Sequence, residues 1–190
     1  MSKGKKIALA AVGVIVAFTI VIVVLALTKP DTVHVERSLV MRATPGQVHP
    51  YANDFRKFTT WIPWTQIDPD QSMEFSEPAS GVGAWYTWSG NDQVGSGRME
   101  ILASEPTKVV HKLEFIEPFA SVAESSLTVT SLGGDQVEVT WSYDQDAGFG
   151  TKLMTVFMDM DAMLGPDFEL GLARLKPLVE ADYRALAQGG

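Results

Sequence analysis

The first pattern along the chain is an unbroken apolar run. Ile7 to Leu27 carries no charged residue. As a helix it would extend about 31 Å, enough to cross a hydrocarbon core of about 30 Å. The apolar region of a cleaved signal peptide is shorter, about 7–15 residues. The run therefore predicts an uncleaved transmembrane helix at 7–27. Lys3, Lys5 and Lys6 precede it, and Lys29 follows close to Asp31 and Glu36. Basic residues favour the cytoplasmic side, so residues 1–6 are expected in the cytoplasm and the rest of the chain outside.

After a linker at 28–32 the period changes. Val33 to Arg42 begins in alternation, with Val33, Val35 and Arg37 on one side, and predicts a strand. Thr44 can cap a helix and Pro45 can take its first position. Val48, Tyr51, Ala52 and Phe55 then recur at helical spacing, so Pro45 to about Phe58 is read as one short helix or two with a break. Trp61-Ile-Pro-Trp64 and Asp68-Pro-Asp70 form a proline-punctuated connection, and Gln71 to Ser76 is a short strand.

Gly81 to Glu100 holds two extended runs with Gly90-Asn91-Asp92 between them, which predicts a β-hairpin. Its aromatics favour strand. Its glycines, at 81, 83, 95 and 97, mark bends or close approaches. Trp85 and Thr87 fall on one face, Tyr86 and Trp88 on the other. Two rings cost more to leave exposed than one, which favours Tyr86 and Trp88 as the inward pair.

Lys108 to Phe115 is a strand with Val109, His111, Leu113 and Phe115 on one face. Ala120 to Thr130 and Gln136 to Tyr143 form a second hairpin around Gly133-Gly134, with Val137, Val139, Trp141 and Tyr143 sharing a face. The last region is helical. One stripe has Leu153, Val156, Phe157, Met160, Met163 and Leu164, the next Phe168, Leu172, Leu175 and Val179. Pro166 is placed to restart a helix and Pro177 to kink or end it. Strands followed by a segregated helix indicate α+β. A long amphipathic helix must bury its stripe against the concave face of the sheet, which encloses a space.

The residues now carry a resemblance. The Thr44-Pro45 start, Phe55-Arg-Lys-Phe58 with Trp61-Ile-Pro-Trp64, Gly81-Val-Gly-Ala-Trp-Tyr-Thr-Trp88, Gly95-Ser-Gly-Arg-Met-Glu100 and the helix from Met158 through Gly165-Pro-Asp-Phe-Glu169 to Leu175 resemble the polyketide cyclase/dehydrase branch of the SRPBCC superfamily. The resemblance spans about residues 33–180. It implies the START and pollen-allergen-like helix-grip fold, a curved antiparallel sheet of about six to seven strands wrapped on a long C-terminal helix. It places that domain at 33–187 and implies an apolar ligand. It does not fix a function, because one fold serves many.

Charge narrows the partners. Three of the 15 basic residues and none of the 23 acidic ones lie in the first 27 positions, leaving 12 against 23 and a net charge of −11 for the rest. That repels nucleic acid. There is no cysteine, hence no disulfide and no thiolate chemistry. The histidines, His34, His49 and His111, are too scattered to suggest a metal site, and no cofactor is implied. Gly81-x-Gly83 and Gly95-x-Gly97 do not extend to a phosphate-binding loop.

Candidate chemistry is sparse. His111 shares a face with Val109 and Leu113. It is either a hydrogen-bonded core histidine or a base. Arg98 either binds a ligand oxygen or pairs across the sheet. With Tyr143 these are the acid–base candidates. The aromatics are the positive signal, since rings with polar tips suit an apolar ligand. The expected ligand-binding set is Tyr86, Trp88, Arg98, His111, Trp141, Tyr143, Phe157 and Met160, with Trp61 and Trp64 at the cavity mouth. Three functions follow. The first is a membrane-anchored binding domain for a hydrophobic small molecule or lipid. The second is a cyclase or dehydratase acting on an aromatic or polyketide-like substrate. The third is an interaction module with no open cavity.

Overall fold

The computed structural model of the chain describes residues 3–188; Met1 and Ser2 of the expected cytoplasmic segment lie outside them. The chain divides into two compact units, Met1–Val33 with Asp146–Met160, and His34–Gln145 with Asp161–Gly190.

The first unit is built on helix α1 (Lys3–Leu27), the one described helix long and apolar enough to cross a membrane. Every residue from Ala10 to Val21 is exposed. Its partner is α5 (Phe149–Phe157), which packs against α1. Among the residues of α1 whose exposure is described, it falls at Ile22, Val23 and Ala26, within the last two turns. The junction is tied by the backbone N–H of Ala147, which donates to the Asp31 carbonyl at 2.8 Å, and by an ion pair from Lys152 to Asp31. The Lys152 ammonium holds the Asp31 carboxyl below its usual range.

The second unit carries a seven-stranded sheet in the order β1-β7-β6-β5-β4-β3-β2. The strands are β1 (Thr32–Arg42), β2 (Ser72–Phe75), β3 (Trp85–Ser89), β4 (Ser96–Glu105), β5 (Lys108–Glu117), β6 (Ser121–Gly133) and β7 (Gln136–Asp146). Successive strands from β2 to β7 pair antiparallel. Only β1 crosses from one edge to the other, and the helices α2 (Pro45–Asn53), α3 (Phe55–Phe58) and α4 (Trp64–Ile67) carry the chain there. The break expected after Pro45 falls at Asp54, whose extended backbone ends α2. Its carboxylate then accepts from the Arg56 N–H at 2.9 Å to start α3.

The closing helix α6 runs from Met160 to Gln188. Pro166 and Pro177 both lie inside it, a correction to the expected restart and stop. Their positions explain the tolerance. Eleven residues is close to three full turns, so both prolines sit on one face, and both are exposed. The opposite face buries the predicted second stripe, Phe168, Leu172, Leu175 and Val179, together with Gly165 and Gly171. The ring of Phe168 stacks on Trp141 of β7 at 4.2 Å. A side chain at Gly171 would press on Trp141 and Trp61. Glycine there sets how closely α6 approaches the sheet.

The first stripe behaves differently. Phe157 is 67% exposed, and Met163 is also open to solvent. The long C-terminal helix expected from sequence is α6, and the first stripe falls in part on a separate helix, α5, ended at Met158 by extended backbone.

Candidate functional site

Alternation and register define the inner face of the sheet. Tyr86 pairs with Met99, Met99 with Leu113, and Trp88 with Gly97. These residues therefore share one face. With Phe115 of β5, Phe58, Ile62, Trp64 and Thr65 of the α3–α4 segment, and Gln71, Met73 and Val94, the side chains of Tyr86, Trp88, Met99 and Leu113 line an apolar recess of about 60 Å³. All of its lining belongs to the second unit. The sequence expectation reached Tyr86, Trp88 and Trp64 of this set. It missed Phe58, Ile62, Met73, Met99, Leu113 and Phe115. The alternation of β5 did put Leu113 and Phe115 on one face, but placing them beside Trp88 needed the strand register.

The glycines of the hairpin have separate tasks. Gly81 and Gly83, both at positive φ, lie ahead of β3 and not within it. Gly97 sits opposite Trp88, and a side chain there would collide with the indole and with the Glu114 carbonyl. The missing side chain is what lets Trp88 lie flat across β4, where its Nε1–H donates to the Val94 carbonyl at 3.3 Å.

Tyr86 is 4% exposed, and burial pushes its phenol well above the ordinary tyrosine range. Its ring meets Phe55 at 4.8 Å and Trp88 at 5.7 Å. The rings at Phe55 and Phe58 also flank His111, at 5.6 and 5.3 Å.

His111 is fully buried. Its Nε2–H donates to the Ala52 carbonyl at 2.9 Å, which leaves Nδ1 as the acceptor, without a partner among the described residues. Burial lowers its pKa to about 4, against a smaller opposing push from that hydrogen bond. A neutral imidazole in an aromatic box is a core histidine at neutral pH, and it does not line the recess.

The other expected residues scatter. Arg98 alternates with Met99 and so faces the outside of the sheet. It lies over the Trp85 ring at 4.8 Å and pairs with Glu100 at 2.9 Å. Tyr143 is inside but donates to the Gln145 Oε1 at 2.7 Å, and burial raises its pKa. Arg98 is thus on the opposite side of the sheet from His111 and Tyr143, and the three acid–base candidates do not meet in one recess. Trp141 is buried, with its Nε1–H on Ser125 Oγ at 3.0 Å. Trp61 is fully buried and not at a mouth. Its indole N–H donates to the Tyr51 carbonyl at 3.1 Å, which anchors it in the core. Phe157 and Met160 fall in the first unit and are not among the lining residues of the recess.

The role of Arg37, placed by alternation beside Val33 and Val35, is set by partners distant in the sequence. Arg37 of β1 donates twice to Asp161, at 2.7 and 2.9 Å, and once to Glu169, at 2.8 Å. A side chain at Gly165, between these two acids, would collide with its guanidinium. The fork geometry clamps the first turns of α6 to the sheet. The signal was an arginine at an inward position of a strand otherwise apolar on that side. Among the described residues no group of three or more His, Cys, Asp or Glu is placed to hold a metal ion.

A family model for polyketide cyclase / dehydrase and lipid transport matches residues 32–180. The chain belongs to this family. The family match covers the sheet, the recess and α6 through Glu180, and it leaves α1 out. No curated protein matches the chain. Solved structures with the same fold include a protein of Chromobacterium violaceum, at 14% identity over 80% of this chain and 99% of that one, with a TM-score of 0.55. The Aha1 dimer of Colwellia psychrerythraea matches at 16% identity over 78% and 96%, TM-score 0.55. The di-domain aromatase/cyclase StfQ of the steffimycin biosynthetic pathway matches at 12% identity over 80% of this chain, TM-score 0.58. This chain spans about half of that two-domain protein, 52%. At these identities the likeness is one of fold. The polyketide cyclase / dehydrase and lipid transport family is one of hydrophobic ligands, and the aromatic cluster at the inner face of this member accords with that.

Proposed function

We propose that residues 33–187 bind a hydrophobic small molecule or lipid at the recess of Tyr86 and Trp88. The same reading takes 7–27 as a membrane anchor with the N-terminus cytoplasmic and the domain outside. The observation that carries it is the recess itself. Its walls are largely aromatic, aliphatic and thioether groups, with Thr65, Gln71 and the polar tips of Tyr86, Trp64 and Trp88 to supply polarity. Such a lining accepts an uncharged, largely apolar group and offers one or two hydrogen bonds to orient it.

Its size constrains the mode of binding. Pockets for whole small molecules hold about 300–1,000 Å³, and this recess holds about 60 Å³. It accepts one end of a ligand as it stands, and a larger one only by opening. The wall built to open is α4 with β2. The first is a single turn, and the second is a four-residue edge strand paired on one side only. Short elements with few hydrogen bonds open at the lowest free energy.

The small volume also favours the third reading, an interaction module whose interior is packed. The two separate in one experiment. Native mass spectrometry of the detergent-extracted full-length protein should find a co-purifying apolar ligand. Tryptophan quenching by a panel of lipids and aromatic compounds should then saturate. Leu113→Trp, which fills the recess, should abolish the quenching while the far-ultraviolet circular dichroism is kept. No retained ligand and no saturable quenching with the whole panel would leave the packed module as the function.

A further inference from the structure

The apolar stripe of α5 has no place in the ligand recess, and its neighbour in the fold is the anchor helix. We propose that α5 is a second membrane-contacting element, lying at the boundary between acyl chains and headgroups beside the end of α1. This rests on the reading of 7–27 as a membrane span.

Three observations carry it. The first is composition. From Ala147 to Met158 the segment holds a single ionisable residue, Lys152. That side chain is 14% exposed and paired with Asp31, so no unpaired charge opposes contact with lipid. The second is exposure. Phe149, Leu153, Val156 and Phe157 fall within about 100° of one another around the helix. The two rings are 51% and 67% exposed, and Met158 just beyond is also exposed. Large rings open to water at both ends of a nine-residue helix are costly unless something apolar covers them.

The third is depth. The covered part of α1 is Ile22, Val23 and Ala26. Ile22 lies about 8 Å from the end of the apolar run at Leu27 along a helix axis. A helix packed there sits within the outer layer of the bilayer, where interfacial helices bury their apolar face about 5–10 Å deep. Charge then selects the surface. The chain beyond the anchor is strongly acidic, and α5 contributes no free cation, so the bilayer it fits is zwitterionic.

The absence of cysteine makes depth directly measurable. Single variants Val16→Cys, Phe149→Cys and Phe157→Cys of the full-length chain carry a nitroxide, each at an exposed position. They are reconstituted into phosphatidylcholine vesicles, and accessibility to oxygen and to a water-soluble nickel chelate is read by electron paramagnetic resonance. The expected result is a deep label at 16 and shallow but lipid-embedded labels at 149 and 157. Labels at 149 and 157 in full contact with the nickel chelate, with 16 still deep, overturn the placement of α5 and leave the anchor intact. A water-exposed label at 16 overturns the anchor reading and this inference together.

Discussion

Two helices near the C-terminus carry apolar stripes and meet opposite fates. In α6 the stripe is closed: Leu175 and Val179 have no exposure, and Leu172 has almost none. In α5 the residues of the stripe are half-buried or open, and no residue is fully buried. The difference lies in what accompanies the apolar residues. The buried face of α6 includes Gly165 and Gly171, where a side chain would strike Arg37 or Trp141. The glycine of α5, Gly150, has open space around it. Periodicity reports that a helix has an apolar face. Small residues interleaved in that face report that another layer of protein comes close enough to cover it.

The sharpest way to test the contrast is to truncate one residue from each stripe. Leu175→Ala leaves a cavity in a fully buried site and should destabilise the chain by about 2–5 kcal/mol. Phe157→Ala removes a larger side chain from an exposed site and should change stability by no more than about 0.5 kcal/mol. Chemical denaturation of both variants in the same detergent measures this. Equal losses would erase the distinction between the stripes.

Acid should separate the same two regions. His111 lies in the closed core, and burial holds its folded pKa at about 4, below the 6.5 of an unburied histidine. Between these values the unfolded chain holds a proton that the folded chain lacks. The stability conferred by neutral His111 is present above pH 6.5 and lost as pH falls toward 4, in all on the order of 3 kcal/mol. His34 acts in the opposite sense, since Asp144 raises its pKa, but it is half exposed and contributes little. Hydrogen exchange at pH 5 against pH 7 should show lost protection in β5 and α6 and little change in α5. In His111→Phe the pH dependence should flatten.

The sequence was most legible where period and burial agree. The strand alternation of β5 and β7, the hairpin at 81–100 and the stripe of α6 follow from side chains that face a single environment. It was least legible where the deciding term is not local. Trp61 looks like a rim residue because prolines surround it, yet its indole finds the Tyr51 carbonyl and is buried. Arg37 looks like one more surface charge until α6 brings Asp161 and Glu169 to it. Half of the recess comes from residues whose neighbours are fixed only by strand register. The stripe of α5 was visible as a stripe, but its local period holds no information about the helix beside it.

A smaller expected effect than those of Leu175 and His111 is also the most direct test of the role given to glycine. Gly171→Ala places a methyl 2.7 Å from the Trp141 ring and 3.3 Å from Trp61. Aromatic rings locked in a packed core yield little, and overpacking of this kind costs about 1–3 kcal/mol. Gly150→Ala adds the same methyl to the first turn of α5, where nothing lies within 4 Å. There only the backbone changes. Alanine loses less conformational freedom on entering a helix, so stability should rise by up to about 1 kcal/mol. Identical chemistry should therefore give opposite signs in the two helices, read as midpoint shifts in one denaturation series. A stabilised Gly171→Ala would mean that α6 can lift from Trp141 at no cost. The glycines of the buried stripe would then not be what sets its closeness to the sheet.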